Sequence, residues 1–307
     1  MTERVFLTGA GGFIGNAVAR RLLAAGSEVR ALTGPPGEAR NAPLGVALAI
    51  AADICDGDAL RALAAGAHVA IHLAGPPSVR ESFSAATAYV RAHAEGTAAV
   101  LEAARDAGIE RFVYVSSAEV YGRPERNPVP ESARLDARSP YAAAKIGAEF
   151  LVRAHAHAHG IAATIVRPFS VYGPGMNPYA LIPAIVRQLE SPGPIRLADL
   201  RPERDYCHVD DVADAIVIAA GPAAPGVRTF NAGSGIAISV AELARTIVAL
   251  DGRTRSVEEK IGERRPGDSE ILELVADPSH ARDALGWVPG MTLEEGLRTV
   301  LGAATMR

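Results

Sequence analysis

Thr8-Gly9-Ala10-Gly11-Gly12-Phe13-Ile14-Gly15 follows directly on the apolar run Val5 to Thr8 and leads into a helical pattern from Asn16 to Ala25. Glycines at 9, 12 and 15 permit a tight turn, a close backbone approach to an anion, and close packing of helix on strand. The helix start then presents free N–H groups and the positive end of its dipole, which suits a pyrophosphate. The same glycines also serve a plain strand-to-helix turn, so their setting matters.

That setting is an alternation of short β-branched runs with longer helical patterns. The runs are Val5 to Thr8, Glu28 to Leu32, Val46 to Ile50, Val69 to Leu73, Arg111 to Ser116 and Ala163 to Arg167. The longest helical patterns cover Ser84 to Ala107 and Pro140 to His159. Such alternation implies an α/β fold, a doubly wound parallel (Rossmann) sheet with helices on both faces, and makes the glycine loop a dinucleotide site. After Arg167, Pro168, Pro174, Pro178, Pro183, Pro192, Pro194 and Pro202 punctuate shorter elements, which points to a smaller C-terminal substrate-binding lobe. The expected division is 1–168 for the dinucleotide-binding domain, with a return segment near 206–236, and 169–307 for the lobe.

Composition narrows the functional classes. Of 307 residues, 49% are hydrophobic and 21% charged, as in a soluble globular protein, and the net charge of −4 provides no basic field for nucleic acid. No apolar stretch near the length of a membrane span and no signal peptide is read, so a cytoplasmic protein is expected. Two cysteines, Cys55 and Cys207, are too few for a disulfide framework or a cysteine-rich zinc site.

The cofactor identity stays open. Asp53, after the third apolar run, is placed to hydrogen-bond an adenine amine, or else simply to start a helix. An acid at the end of the second strand holds the ribose of NAD, whereas arginine suits the 2′-phosphate of NADP. Val29-Arg30-Ala31-Leu32-Thr33-Gly34 has no acid, and Arg40 stands in the following loop. Gly9, Gly12, Phe13, Ile14, Gly15, Thr33, Arg40, Asp53, Ile54, Leu73 and Ala74 are the cofactor-binding candidates, for NAD or NADP.

Tyr141 and Lys145 stand four residues apart in a chain with seven tyrosines and two lysines, too few for the spacing to be expected by chance. Ser139 as N-cap and Pro140 at the first helical position start a helix on which both share a face. An ammonium beside a phenol favours the phenolate, so Tyr141 is expected to be more acidic than free tyrosine. Such a phenol exchanges a proton with a hydroxyl while hydride leaves the same carbon. His155, His157 and His159 alternate with alanine, a period expected to scatter them around the helix, so no metal site is expected. His208 reads as a polar core residue.

Taken with Ser116-Ser117-Ala118-Glu119-Val120-Tyr121-Gly122, Arg167-Pro168-Phe169-Ser170-Val171-Tyr172-Gly173, Arg204-Asp205-Tyr206 and Arg265-Pro266-Gly267-Asp268, these features make the chain resemble the extended short-chain dehydrogenase/reductases that modify nucleotide sugars. The resemblance runs nearly end to end. It implies that Ser117 binds the reacting sugar hydroxyl, Tyr141 is the acid/base and Lys145 holds the nicotinamide ribose. It further implies that Ser170, Arg204 and Arg265 bind the substrate diphosphate region, and that the two long helices form a homodimer interface. The chain departs from many relatives in His93, where asparagine is frequent, and in Ser170.

Ala118 stands where sugar dehydratases of this family carry an aspartate, which favours epimerisation, while Glu119 keeps dehydration or decarboxylation open. The expected reaction is epimerisation or dehydration through transient oxidation at sugar C4. An NADPH-dependent 4-ketosugar reductase and a non-catalytic dinucleotide sensor are the alternatives.

Overall fold

The computed structural model describes residues 2–37, 42–260 and 271–305. Arg40 and Arg265 lie outside these residues. The chain opens with β1 (Arg4–Thr8), α1 (Phe13–Ala24), β2 (Glu28–Leu32), β3 (Leu48–Ile50), α2 (Gly57–Ala64) and β4 (Val69–His72). Where one helix is expected over Ser84 to Ala107, the chain forms α3 (Val79–Ser82), α4 (Ala86–Val90), a π-helical turn (Arg91–Glu95) and α5 (Gly96–Asp106). β5 (Arg111–Val115), a 3₁₀ turn (Ala118–Tyr121), α6 (Pro140–His159) and β6 (Ala162–Pro168) follow. Then come β7 (Ser170–Tyr172), α7 (Leu181–Leu189), β8 (Ile195–Leu197), β9 (Glu203–His208), α8 (Val209–Ala219) and β10 (Gly226–Ala232). The chain finishes with β11 (Ala237–Ser239), α9 (Val240–Leu250), β12 (Val257–Glu259), β13 (Glu273–Leu274), α10 (Ser279–Leu285) and α11 (Leu293–Thr305).

Among the described residues the main sheet has seven strands in the order β10-β6-β5-β4-β1-β2-β3, all paired in parallel. This is the doubly wound parallel sheet expected from the alternation of strands and helices. Its central strands are buried on both faces, which is why they read as unbroken apolar runs. One face packs on α1 and α8 through Val18, Leu22, Val212 and Ile216; the other packs on α2, α5 and α6 through Leu60, Leu63, Val100 and Val152. Each such side chain contributes about 1.5–3 kcal/mol of transfer free energy. Strand order reverses between β1 and β4, and at such a point the loops part to leave a crevice along the carboxyl edge.

Three local devices hold the site elements in place. Ser139 caps α6 by accepting from Ala142 N–H at 3.1 Å, and Gly160 ends it with φ +66°. Fully buried Asp205 on β9 accepts from the N–H groups of Ser234, Gly235 and Ala276 at 2.7, 2.8 and 3.1 Å, tying the exit of β10 to the smaller sheet. That sheet has the order β11-β9-β13, with β7 also paired to β9. Trp287, the single tryptophan, is buried after α10 against the α1 and α8 core and donates its indole N–H to the Asp211 carbonyl at 3.0 Å.

Candidate active site

The glycine loop is set by backbone contacts that leave no room for side chains. Gly9 has φ +77°, and a Cβ there meets Ala74 N at 2.9 Å, so β1 and β4 exit in near contact. A Cβ at Gly15 falls 2.0 Å from the Gly9 carbonyl oxygen, so glycine alone lets α1 start this close to the loop. Gly12 is the N-cap and supplies no side-chain acceptor, leaving the first turn, with Phe13 and Ile14, bare toward the crevice edge. The helix begins at Phe13, three residues before the expected Asn16.

A buried polar chain fixes the loops on either side. Thr97 Oγ donates to the His93 carbonyl at 2.5 Å, so its oxygen accepts from His72 Nε2 at 2.9 Å. His72 Nδ1 then accepts from Thr8 Oγ at 2.7 Å, and Thr8 Oγ accepts from the N–H groups of Leu73 and Ala74, both at 3.2 Å. Each donor direction follows from the one before it, and the imidazole is neutral, its pKa lowered to about 3 by burial and by Lys145. His93 donates Nε2–H to the Pro76 carbonyl at 3.0 Å and presents its ring edge-on to Tyr141, centroids 5.4 Å apart.

Tyr141, Lys145 and Ser117 come together as expected from spacing and resemblance. Lys145 Nζ donates to the Val115 carbonyl at 2.8 Å, lies 5.0 Å from the Tyr114 ring centre and 6.0 Å from that of Tyr141. Ser117 caps the 3₁₀ turn by accepting from Glu119 N–H at 3.2 Å, and its hydroxyl lies near enough to the Tyr141 phenol to favour the phenolate. The expected acidity of Tyr141 is not observed. Burial pushes the phenol up to about 12, and Glu119 and Tyr89 push it the same way, against the pull of Ser117. Burial also lowers Lys145 to about 7, while Glu149 raises it, and its ammonium is committed to Val115. Burial is the largest influence on both groups, and neither is shifted by the other.

Beside this group lies a cavity of about 50 Å³ lined by Ser117, Ala118, Glu119, Phe169, Ser170 and Arg204, together with Pro168 and Leu274. Two substrate-binding candidates from separate segments, Ser170 and Arg204, thus line one space with Ser117 and Glu119. Of the cofactor-side candidates, Thr33 donates its N–H to the Ile50 carbonyl at 3.1 Å, and Ile54 packs so close to Gly96 that a Cβ there would meet it at 2.8 Å. Asp53 is engaged. Arg91 donates to both its oxygens at 3.0 Å, and Cys55 N–H to one at 2.9 Å, which holds the carboxyl below the usual range.

Two expectations change. His155 and His159 do not scatter: four residues apart, they share a face with ring centroids 4.4 Å apart. His208 is more than a core residue, because its Nδ1 accepts from Asp210 N–H at 3.3 Å and so caps α8. Sequence reading passed over Glu149, fully buried one turn beyond Lys145, although it continues the four-residue spacing of Tyr141 and Lys145. It also passed over His72, which nothing in a run of strand residues marks out.

The NAD dependent epimerase/dehydratase family profile matches residues 5–233. A UDP-glucose 4-epimerase of Mycolicibacterium smegmatis is 35% identical over 305 residues, covering 96% of each chain. A dTDP-glucose 4,6-dehydratase of Streptomyces griseus is 31% identical, covering 97% of this chain and 92% of that protein. Among solved structures, MoeE5 in complex with UDP-glucuronic acid and NAD superposes with a TM-score of 0.89 at 30% identity, covering 99% of both chains. With its parallel sheet, glycine loop and clustered Ser117, Tyr141 and Lys145, the chain belongs to the NAD dependent epimerase/dehydratase family.

Proposed function

We propose that this protein changes the hexose of a nucleotide sugar, as an epimerase or dehydratase, through transient oxidation at C4. The observation that carries the reading is the meeting of Ser117 and Tyr141, above Lys145, at the edge of a cavity that also reaches Glu119, Ser170 and Arg204. The crevice suits a nicotinamide dinucleotide: α1 starts without a side-chain cap, and a Cβ on Gly12 would stand 3.1 Å from the Gly9 carbonyl. When bound, NAD supplies the hydride acceptor and returns the hydride, so no net oxidation results.

The chain's own groups do the rest. Tyr141, in its phenolate form, takes the proton of the sugar 4-hydroxyl and gives it back when that hydroxyl re-forms, with Ser117 orienting the hydroxyl. Lys145 provides a fixed donor beneath the phenol and holds the nicotinamide ribose. Glu119 is the second proton-transfer group, and Ala118 beside it offers none, which favours epimerisation. Ser170 and Arg204, with Arg265, bind the diphosphate, where guanidinium geometry suits paired oxygens. Gly9, Gly12, Phe13, Ile14, Gly15, Leu73 and Ala74 border the pyrophosphate, and Asp53 and Ile54 the adenine. We read 1–168 with the return segment near 206–236 as the cofactor domain, and 169–307 as the substrate lobe.

No helix among the described residues is long and apolar enough to cross a membrane, and we place the enzyme in the cytoplasm as a homodimer. Exposed Phe83 just after α3, Val90 on α4, and Phe150 and Leu151 on α6, elements that pack together, supply the dimer face. Incubation with UDP-, dTDP- and GDP-hexoses, without added cofactor, and detection of new sugars by NMR tests the reaction. No turnover across the panel argues against it. The missing acid after β2 favours a second reading, an NADPH-dependent 4-ketosugar reductase, which stoichiometric NADPH consumption with a ketosugar identifies.

A further inference from the structure

The face of α6 that carries Tyr141 and Lys145 continues one turn to Glu149, and all three meet the last residues of β5 and its exit. Tyr141 meets the Ser117 hydroxyl, Lys145 donates to the Val115 carbonyl at 2.8 Å, and Ser116 Oγ donates to Glu149 Oε1 at 2.6 Å. Glu149 is wholly buried, and Arg167 on β6, 2% exposed, clasps it through Nε to Oε1 at 2.9 Å and Nη2 to Oε2 at 2.6 Å. Arg167 Nη1 reaches the Tyr121 hydroxyl at 2.9 Å and the Glu131 carbonyl at 3.1 Å. Tyr121 in turn donates to Asn231 on β10 at 2.6 Å.

Apolar residues of similar volume often serve a fold as well as a buried ion pair, so stability alone does not explain this one. Its position does. We propose that Glu149, held by Arg167, is a positioning residue for catalysis: it fixes the strand end that carries Ser117 and supplies the negative charge that offsets the buried Lys145 ammonium.

Other groups around that ammonium are His72 from β4, His93 from the π-helical turn, Tyr114 from β5 and Tyr141 from α6. Burial keeps both imidazoles neutral and both phenols protonated, so none of the four compensates a cation. Glu149 raises Lys145 against burial.

The chain has only two lysines, so a Lys260→Arg background with isotope-labelled lysine Cε leaves one NMR signal to titrate in the full-length protein. Glu149→Gln is expected to lower the Lys145 midpoint by about one unit or more. That substitution strands Arg167 in the core, so Glu149→Gln with Arg167→Met is the neutral control. It is expected to melt close to the parent and still to lower the midpoint, by less. With a nucleotide hexose that the parent turns over, kcat is expected to fall about tenfold while KM stays within about twofold.

A double variant that folds with the Lys145 midpoint or kcat unmoved overturns the proposal, and so does one that fails to fold, because the pair is then structural. The catalytic half rests on the sugar-oxidation reading above. A parent without turnover sinks that reading, while the lysine titration still judges the charge pairing.

Discussion

Lys145 donates to the main-chain carbonyl of Val115 at 2.8 Å, tying α6 to the strand that leads into Ser117. Lys145→Met removes both this bond and the cation. The buried carbonyl then loses its donor, at a cost of about 1–3 kcal/mol. Turnover is expected to fall about a hundredfold or more, because the phenol loses its supporting charge. Melting curves and NMR assays of the same preparation separate the two effects; unchanged turnover contradicts the role.

Gly15→Ala places a methyl 2.0 Å from the Gly9 carbonyl oxygen. Neither backbone can yield without parting α1 from β1, so overpacking is expected to cost about 1–3 kcal/mol. NAD affinity is expected to drop with it, since the same movement displaces the helix N-terminus. Calorimetry of cofactor binding checks this, and tight binding by the variant excludes the loop from the pyrophosphate site.

Acid is expected to destabilise the fold at milder pH than its carboxylates alone would set. Burial lowers His72 to about 3 and His93 to about 2, whereas the unfolded imidazoles titrate near 6.5. The folded values lie below the unfolded ones, so the unfolded chain binds more protons as pH falls below 6.5, and stability drops through that window. At about pH 5 each of the two costs roughly 2 kcal/mol. His155 and His208 shift in the same direction and add to the slope. Urea midpoints measured at about pH 7 and about pH 5 test the effect. His93→Asn is expected to flatten the dependence markedly, and an equal slope refutes the assignment.

Phe150, 61% exposed on α6, stands on the face assigned to the second copy. Phe150→Glu is expected to yield monomers by light scattering at micromolar concentration, with the circular dichroism of the parent. A parent that is itself monomeric contradicts the dimer.

Much of the architecture is legible in the sequence, because each central strand is buried on both faces and each helix lies between two turn signals. Ser117, Tyr141 and Lys145 are legible for a related reason: strand exit and capped helix start are local patterns. The acidity of Tyr141 was not, since desolvation depends on what the rest of the chain packs around the ring. His72 and Arg167 escape for the same reason, being strand residues whose partners lie on other elements. The π-helical turn at Arg91–Glu95 has no local marker either, and it is what brings Arg91 onto Asp53 and His93 onto Tyr141.

Trp287 gives the molecule an intrinsic light source at one junction. Its indole is sealed between the C-terminal segment and α8, so emission is expected to stay blue while the tail remains docked and to shift red when the tail departs. A red shift that precedes the loss of helical ellipticity in a denaturant series then shows the tail peeling off before the sheet opens. Coincident transitions show one cooperative unit, with no dye or engineered probe required.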